Sequence, residues 1–295
     1  MKTDNLQNKT ELVFNVPQSY DGCIVKVFLR GYCGISAHLL IKLKAVNNGI
    51  TCNGKHIRAV DKLKSGDVVV LKLPQDECDI KPVKLPLNIA YEDEHILVAD
   101  KPPMMPVHPV HGHIDDTLAN AVRYYSENKG ENWTFRAINR IDRDTSGLVL
   151  LAKNPYCAAL LPDTVDKTYI AVCEGELFGS GRIDKPIRFK EGHTIQREVG
   201  SGGLRAVTNW KAVKTANGFT LLELKLETGR THQIRVHFSD MGHPLAGDDM
   251  YGGSREFIAR HALHCAVIGF IHPITHKQIN VTSEIPKDML CLIAD

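Results

Sequence analysis

Three segments of the chain place apolar residues three and four positions apart, which is the spacing of one face of a helix. Ser36 is a suitable N-cap for the first helix, and the pattern continues to Lys44. Thr117 is a suitable N-cap for the second, which continues to Tyr125. The third carries its apolar face between residues 234 and 241. The pattern therefore predicts three amphipathic helices that are well separated along the chain.

Most of the other apolar segments are short, and they either alternate with polar residues or are bounded by turns, as strands are. Strands are predicted at residues 25–29, 50–52, 55–58, 68–73, 148–152, 167–175 and 222–227, and a hairpin at 88–102. Asn53 and Gly54 form a turn pair that joins the second and third of these strands in another hairpin. Residues 148–152 are continuously apolar, which predicts a buried core strand.

The chain divides into four parts. Residues 1–19 are polar and are predicted to form a flexible N-terminal segment. Residues 20–75 hold the first helix and the Asn-Gly hairpin, and they are predicted to form a small domain. Residues 76–87 contain prolines and charges, which is typical of a linker. Residues 88–295 would form a larger second domain, and a length of 295 residues is sufficient for this division.

The composition is typical of a globular protein, with 43% hydrophobic residues. No apolar run approaches the length of a membrane span, and residues 1–10 lack the apolar region of a signal peptide. The eight cysteines are scattered singly, without a Cys-x-x-Cys pair, which argues against disulfides and against a structural zinc site. We therefore expect a cytoplasmic protein with no membrane partner.

The net charge of +2 is small, but the positive charge is concentrated in one part of the chain. Between Lys26 and Lys72 there are nine lysines and arginines and only two acidic residues. Such a basic module is typical of domains that bind polyanions, although a solvated surface can have the same composition.

The segment 137–147 is the strongest candidate for a functional site. It holds two arginines and two aspartates, closes on a Thr-Ser-Gly turn and leads directly into the predicted core strand. A carboxylate held close to a core, such as Asp142, needs a cation beside it to stay ionised, and such a group is a candidate nucleophile or base. The alternative is a solvated ion pair or a turn cap on a loop.

The order of the residues in this segment is a more specific signal than their charges. Arg140-Ile141-Asp142-x-x-Thr145-Ser146-Gly147 resembles the His-Arg-Leu-Asp-x-x-Thr-Ser-Gly signature of RNA pseudouridine synthases of the RluA family. In that family the aspartate is the essential catalytic residue, and it matches Asp142. Two positions differ from the family pattern, since Asn139 stands in place of the histidine and Ile141 in place of the leucine.

Further segments carry the same resemblance. Lys167-Thr168-Tyr169 is similar to the family's Lys-x-Tyr, whose tyrosine lies against the target base. Residues 229–237 match Gly-Arg-x-His-Gln-Ile-Arg-Val-His, in which an arginine forms a salt bridge with the catalytic aspartate. We assign that role to Arg235, with Arg230 as the alternative and as a candidate phosphate contact. The resemblance also includes a Tyr-x-Asp…Lys-Pro opening near residue 91 and the segments 243–248 and 260–265, and it extends to about residue 286.

The resemblance implies an α+β catalytic domain with a mixed, mainly antiparallel sheet. It implies isomerisation of uridine to pseudouridine in RNA by a catalytic set of Asp142, Tyr169 and Arg235, without cofactor or metal. Asp142 would act on the ribose or on the base. The residues that would bind substrate are Arg140, Thr145, Lys167, Arg230 and His232. Large-subunit ribosomal RNA is the first expected substrate and transfer RNA the second, and a monomer is expected.

The N-terminal module resembles the α/β S4 RNA-binding domain. The resemblance rests on the order of helix, Asn-Gly hairpin and strand, and on residues 53–55 and 65–67. It is partial, because the Ser-Arg-Ser that usually starts the helix is absent. The residues expected to bind RNA are Arg30, Lys42, Lys44, Lys55 and Arg58.

Three other functions are alternatives. A non-catalytic RNA-binding or ribosome-assembly protein could keep this fold, and Asn139 and a short segment at 155–166 leave that alternative open. A glycosidase would need a second carboxylate, for which Asp144 is the near candidate, and a zinc deaminase would need motifs that the chain lacks. The histidines at 108, 111 and 113 are the weak candidates for a metal site.

Overall fold

The computed structural model describes residues 11–74 and 78–294. The α-helices are α1 Val25–Val27, α2 Ala37–Ala45, α3 Leu118–Asn128, α4 Pro155–Leu160, α5 Gln233–Asp240 and α6 Lys287–Leu290. The first strands are β1 Glu11–Asn15, β2 Ile50–Cys52, β3 Lys55–His56, β4 Val68–Lys72, β5 Asn88–Glu92, β6 Ile96–Lys101, β7 Ser146–Ala152 and β8 Asp166–Glu174. The remaining strands are β9 Ser180–Asp184, β10 Ile187–Phe189, β11 Arg197–Val199, β12 Val207–Ala216, β13 Phe219–Leu226, β14 Leu263–Ile271 and β15 Gln278–Thr282.

The N-terminal domain is built on a four-stranded sheet with the order β1-β4-β2-β3. The predicted Asn-Gly hairpin is present as β2 and β3, and the predicted first helix is α2. The Ser36 hydroxyl caps α2 by accepting a hydrogen bond from the Leu39 amide, and Leu39, Leu40 and Leu43 are buried beneath it. The helical spacing of these leucines therefore predicted this helix correctly.

Two predictions for the N-terminal part are wrong. Residues 25–29 are helical, as α1 followed by a π-helical turn at Phe28–Tyr32, because Val25, Phe28 and Leu29 are all buried at helical spacing. The flexible segment predicted at 1–19 is wrong for residues 11–15, which form β1 and pair antiparallel with β4. Leu12 packs into the core from that strand. The prediction is also wrong for residues 16–19, since Val16 is buried and Gln18–Tyr20 form a 3₁₀ helix, whereas residues 1–10 lie outside the described residues.

The larger domain is organised around a nine-stranded sheet with the order β5-β6-β7-β14-β8-β13-β12-β9, and β15 pairs with β14. All its pairings are antiparallel except that of β7 with β14. Every residue of β7 is buried, as expected for the continuously apolar segment. The predicted α+β fold with a mainly antiparallel sheet is confirmed.

The parallel contact between β7 and β14 brings the loop before β7 close to the segment before β14. His264 pairs with Ser146, and Cys265 with Gly147. A side chain at Gly147 would collide with the Cys265 backbone, and its φ of 105° also favours glycine. On the other side of β14, Cys265 pairs with Tyr169 of β8. Three segments far apart in sequence thus meet at one end of the sheet.

The two predicted domains contact each other at α4. The Tyr156 hydroxyl donates a hydrogen bond to the Cys33 carbonyl at 2.9 Å, and its ring meets Phe14 edge-on with 6.0 Å between centroids. Residues 78–87 form neither helix nor strand. A hydrogen bond from the Val83 amide to the Asn120 carbonyl ties this segment to α3. The predicted limits of the linker and of the two domains stay predictions.

Within residues 11–74 and 78–294, no helix combines the length and the apolar character that crossing a membrane requires.

Candidate active site

The start of α5 is fixed by a single amide side chain. Gln233 accepts hydrogen bonds from the Arg230 amide at 3.0 Å and from the Thr228 hydroxyl at 2.8 Å. Its own amide donates to the Val207 carbonyl of β12 at 2.9 Å. These bonds tie the helix to the sheet, and they set the direction of the next turn, which carries Arg235 inward.

Arg235 lies buried between two carboxylates. Its Nε and Nη2 both donate to Asp248 at 2.7 Å, and its Nη1 donates to Asp142 at 3.1 Å. Burial alone would lower the pKa of Arg235, but the bonds and charges of the two aspartates outweigh burial and raise it. Arg235 is therefore a permanent cation, and Asp248 fixes the orientation in which it reaches Asp142.

The cavity beside Asp142 is lined by both apolar and polar side chains. Its lining residues are Arg140, Ile141, Asp142, Thr145, Tyr169, Leu226, Arg230, His232, Gln233, Ile234, Arg235 and Leu263. Burial raises the pKa of Tyr169 well above its ordinary value, so that its hydroxyl stays protonated. The cavity thus offers an aromatic ring and leucine side chains for a flat base, next to a partly exposed carboxylate.

The loop that carries Asp142 is held by residues outside the sequence motif. Lys101, 1% exposed, donates from Nζ to the carbonyls of Arg143 and Pro102 at 3.0 and 2.9 Å. Burial lowers the pKa of this lysine to about 7. The Thr145 hydroxyl bonds to His261 Nε2 at 2.7 Å, at the segment before β14.

Comparisons with known proteins identify the family of the chain. Residues 95–240 match the family model described as RNA pseudouridylate synthase. The chain is 37% identical over 271 residues to YjbO of Bacillus subtilis, which is described as an uncharacterized RNA pseudouridine synthase, and the match covers 89% of this chain and 96% of the relative. The chain belongs to the RNA pseudouridine synthase family. The prediction that it is an RNA pseudouridine synthase, with RNA as its partner, is therefore confirmed.

Two further relatives of this synthase support the same family. Ribosomal large subunit pseudouridine synthase D of Pseudomonas aeruginosa is 36% identical over 269 residues, which cover 83% of each chain. The solved structure of human RNA pseudouridylate synthase domain containing 1 is 26% identical and superposes with a TM-score of 0.56, covering 68% of this chain and 83% of the human one.

The structure brings most of the predicted site residues of the synthase together. Arg140, Thr145, Arg230 and His232 line the cavity with the three proposed catalytic residues. Lys167 does not line it, and lies half-buried near the start of β8. The five basic residues predicted to bind RNA in the N-terminal domain are all exposed. The roles of these residues stay predictions.

Asp248 and Lys101 are the members of the site that sequence reasoning missed. Asp248 is 1% exposed, and its two oxygens are fully used by Arg235. It stands at the end of the segment 243–248, which resembles the family without indicating a role. Lys101 is the lysine of the Lys-Pro pair in the family opening, and neither that resemblance nor its place beside an apolar run assigned it a role at the Asp142 loop.

The weak candidates for a metal site do not converge. In the described part of the chain, no three histidine, cysteine or acidic side chains form a group that could hold a metal ion. His108 instead packs edge-on against Phe135, with 4.9 Å between ring centroids, and His113 lies 2.6 Å from Asp116.

Asn139 of the synthase, which replaces the family histidine, faces the core strand. Its Nδ2 donates to the Leu148 carbonyl at 3.1 Å, and its Oδ1 accepts from the Leu150 amide at 2.8 Å. The side chain therefore satisfies two backbone groups of β7. It supports the loop, and it is not among the residues that line the cavity.

Replacing Asn139 by alanine is expected to destabilise the synthase by about 1–3 kcal/mol, because two buried backbone groups lose their partners. Below the unfolding temperature, kcat should stay near that of the wild type. Urea unfolding and turnover of Asn139→Ala measure the two effects, and the exposed Asn128→Ala is the control. A large loss of kcat at unchanged stability would instead place Asn139 in the chemistry.

Proposed function

We propose that this synthase converts uridine to pseudouridine in large-subunit ribosomal RNA, with Asp142 as its catalytic carboxylate. The observation that carries the proposal is the hydrogen bonding of Arg235 to both Asp248 and Asp142. It places the Asp142 carboxylate in an open cavity beside Tyr169. The choice of RNA is supported by relatives from Pseudomonas aeruginosa and Zymomonas mobilis, which are named ribosomal large subunit pseudouridine synthase D. Transfer RNA is the second candidate.

The reaction breaks the N1–C1′ bond of uridine and forms a C5–C1′ bond. In the same conversion C5 loses a proton and N1 gains one. There is no net oxidation or hydrolysis, so the chemistry needs a group that attacks or deprotonates and a site that excludes water. Asp142 can be that group, acting on the ribose or on the base. Arg235 orients this carboxylate, since its Nη1 donates a hydrogen bond to Asp142 Oδ2 at 3.1 Å.

The base has to leave its helix before it can reach Asp142, at a cost of about a few kcal/mol that RNA binding must supply. Tyr169 and the leucines of the cavity would replace the stacking that the base loses. Arg140 and Arg230 are exposed at this cavity, so their guanidinium groups can contact the phosphates on either side of the extruded nucleotide.

We propose that the N-terminal domain contributes RNA affinity without contacting the target base. Two of its predicted contacts are partly engaged, since Arg58 pairs with Asp61 and Arg30 donates to the Ile35 carbonyl. Lys42 and Lys44 lie exposed on α2, and neither has an ion pair within the described residues. These two lysines are therefore available for phosphate, as is the exposed Lys55 of β3.

The double variant Lys42→Ala/Lys44→Ala should bind RNA less tightly, and the slope of log Kd against log salt should fall by about 1.5, because two counterion-releasing contacts are lost. Turnover at saturating RNA should be unchanged. Binding measured over a range of salt concentrations tests this prediction. The control is Lys277→Ala/Lys287→Ala, which removes two exposed lysines of the other domain. An unchanged slope would exclude α2 from the RNA interface.

The experiment that tests the substrate is to map pseudouridine in large-subunit ribosomal RNA and in transfer RNA after incubation with the purified synthase. New pseudouridine at discrete positions of the ribosomal RNA supports the proposal and names the uridine. Modification of transfer RNA alone would replace it by the second candidate. A cytoplasmic location, a monomer and independence from metal stay predictions.

A further inference from the structure

His232 lines the cavity, and its predicted role in substrate binding does not say which group of the substrate it contacts. It is the residue immediately before α5, and its φ of 56° lies in the left-handed region that a histidine seldom adopts. Its ring lines the cavity with 10% of the side chain exposed, and Nε2 lies 3.9 Å from Asp142 Oδ2. This conformation points an imidazole nitrogen toward the reacting groups.

The other ring nitrogen is held by a hydrogen-bonded pair. His232 Nδ1 lies 2.8 Å from the Tyr251 hydroxyl, and that hydroxyl accepts a hydrogen bond from the Arg197 amide at 2.9 Å. Tyr251 itself is 8% exposed. The Tyr251 hydroxyl has a single proton. If it donates that proton to Nδ1, then Nδ1, the hydroxyl and the Arg197 amide all have partners. If Nδ1–H donated to the hydroxyl instead, the buried hydroxyl proton would have no partner. The proton of the neutral imidazole therefore lies on Nε2.

The ring also stays neutral. Burial lowers the pKa of His232 below its ordinary value, and although Asp142 opposes this shift, the nearby cation of Arg235 adds to it. The guanidinium carbon of Arg235 lies 4.9 Å from the centre of the Tyr251 ring, which helps to keep this tyrosine in place. The synthase thus presents a neutral N–H donor next to Asp142.

We propose that His232 Nε2–H donates a hydrogen bond to a carbonyl oxygen of the target uracil, and that Tyr251 is the positioning residue that fixes this tautomer. The inference rests on the proposed function of the Asp142 cavity. When the N1–C1′ bond breaks, its electron pair stays on the base, and the negative charge spreads over the ring nitrogens and the carbonyl oxygens. A donor already aimed at such an oxygen stabilises the charge without reorganisation. His232 keeps its proton throughout.

Glutamine and asparagine at position 232 form a matched pair for testing the donor. A glutamine amide nitrogen reaches about as far as Nε2, whereas an asparagine amide nitrogen reaches only as far as Nδ1. Under single-turnover conditions, His232→Asn should lose about 10²-fold or more in rate, the usual effect of removing one such donor. His232→Gln should recover most of that loss. The rate of Tyr251→Phe should lie between those of the wild type and His232→Asn. The Kd for RNA should stay within about twofold in all three variants.

Thermal melting and the Kd for RNA identify variants that fail to fold. Since Tyr251→Phe removes only one hydroxyl group, it keeps the inference testable if both variants at position 232 unfold. A rate for folded His232→Asn within threefold of the wild type would overturn the proposal. Equal losses in His232→Gln and His232→Asn would also overturn it, because a glutamine can donate a hydrogen bond but cannot accept a proton as a base. If the wild type itself forms no pseudouridine, the proposed function fails, independently of His232.

Discussion

The Asp142→Asn variant is expected to form no measurable pseudouridine while binding RNA normally. Asparagine has the shape of aspartate and can still accept a hydrogen bond from Arg235, but it can neither attack a carbon atom nor remove a proton. The rate should therefore fall by a factor on the order of 10⁴ or more, as when the central group of other catalytic sites is removed. The free energy of unfolding should change by about 1 kcal/mol or less, because Asp142 is partly exposed and Arg235 keeps both hydrogen bonds to Asp248.

The matched control is Asp144→Asn, two positions further along the same loop. Asp144 forms an ion pair with Arg143 and does not line the cavity. Its replacement should leave turnover within a few fold of the wild type. Comparable losses in the two variants would indicate two cooperating carboxylates, which is the requirement of a glycosidase. Wild-type turnover by Asp142→Asn would remove this residue from the mechanism.

Removing Asp248 is expected to cause the largest loss of stability of any change in the site. Asp248→Ala leaves the buried Arg235 cation with two unpaired donors and a single remaining carboxylate. Breaking a buried pair in this way costs about 3–5 kcal/mol, because the surviving charge stays out of water. Turnover should fall as well, since nothing then holds Arg235 in the orientation that reaches Asp142. Urea unfolding and turnover below the unfolding midpoint measure the two effects.

The neighbouring Asp249 is the control for this prediction. It forms an exposed ion pair with Arg255 at 2.8 Å, and about half of each side chain is accessible to solvent. Asp249→Ala should cost about 0–1 kcal/mol, as exposed pairs do. If the two variants unfold at the same urea concentration, Asp248 is not the support of Arg235 that the structure indicates.

The parts of the fold that could be predicted from sequence are those with long or well-marked patterns. The helix at Leu118–Asn128 has a cap and a full apolar face, and the strand at Ser146–Ala152 is apolar throughout. Residues 25–29 were wrongly predicted because five residues with apolar alternation fit a strand as well as a buried helical turn. The strand at 11–15 was missed because its stability depends on pairing with β4, more than fifty residues away.

The same limit applies to the site. Asp142 and Arg235 could be assigned because the segments around them resemble family motifs. The buried ion pair with Asp248 could not be predicted, since which arginine meets which carboxylate depends on how α5 packs on the sheet. The bond from Lys101 to the Arg143 carbonyl joins residues 42 positions apart, and no local pattern marks such a contact.

The most direct test of the central claim is tritium release from RNA labelled at C5 of uridine, with wild type and Asp142→Asn compared on large-subunit ribosomal RNA. We expect the wild type to release one tritium for each pseudouridine formed, and Asp142→Asn to bind the same RNA and release none. Equal release by the two proteins would contradict the role of Asp142. No release by the wild type from ribosomal or transfer RNA, with binding retained, would instead support a non-catalytic RNA-binding protein.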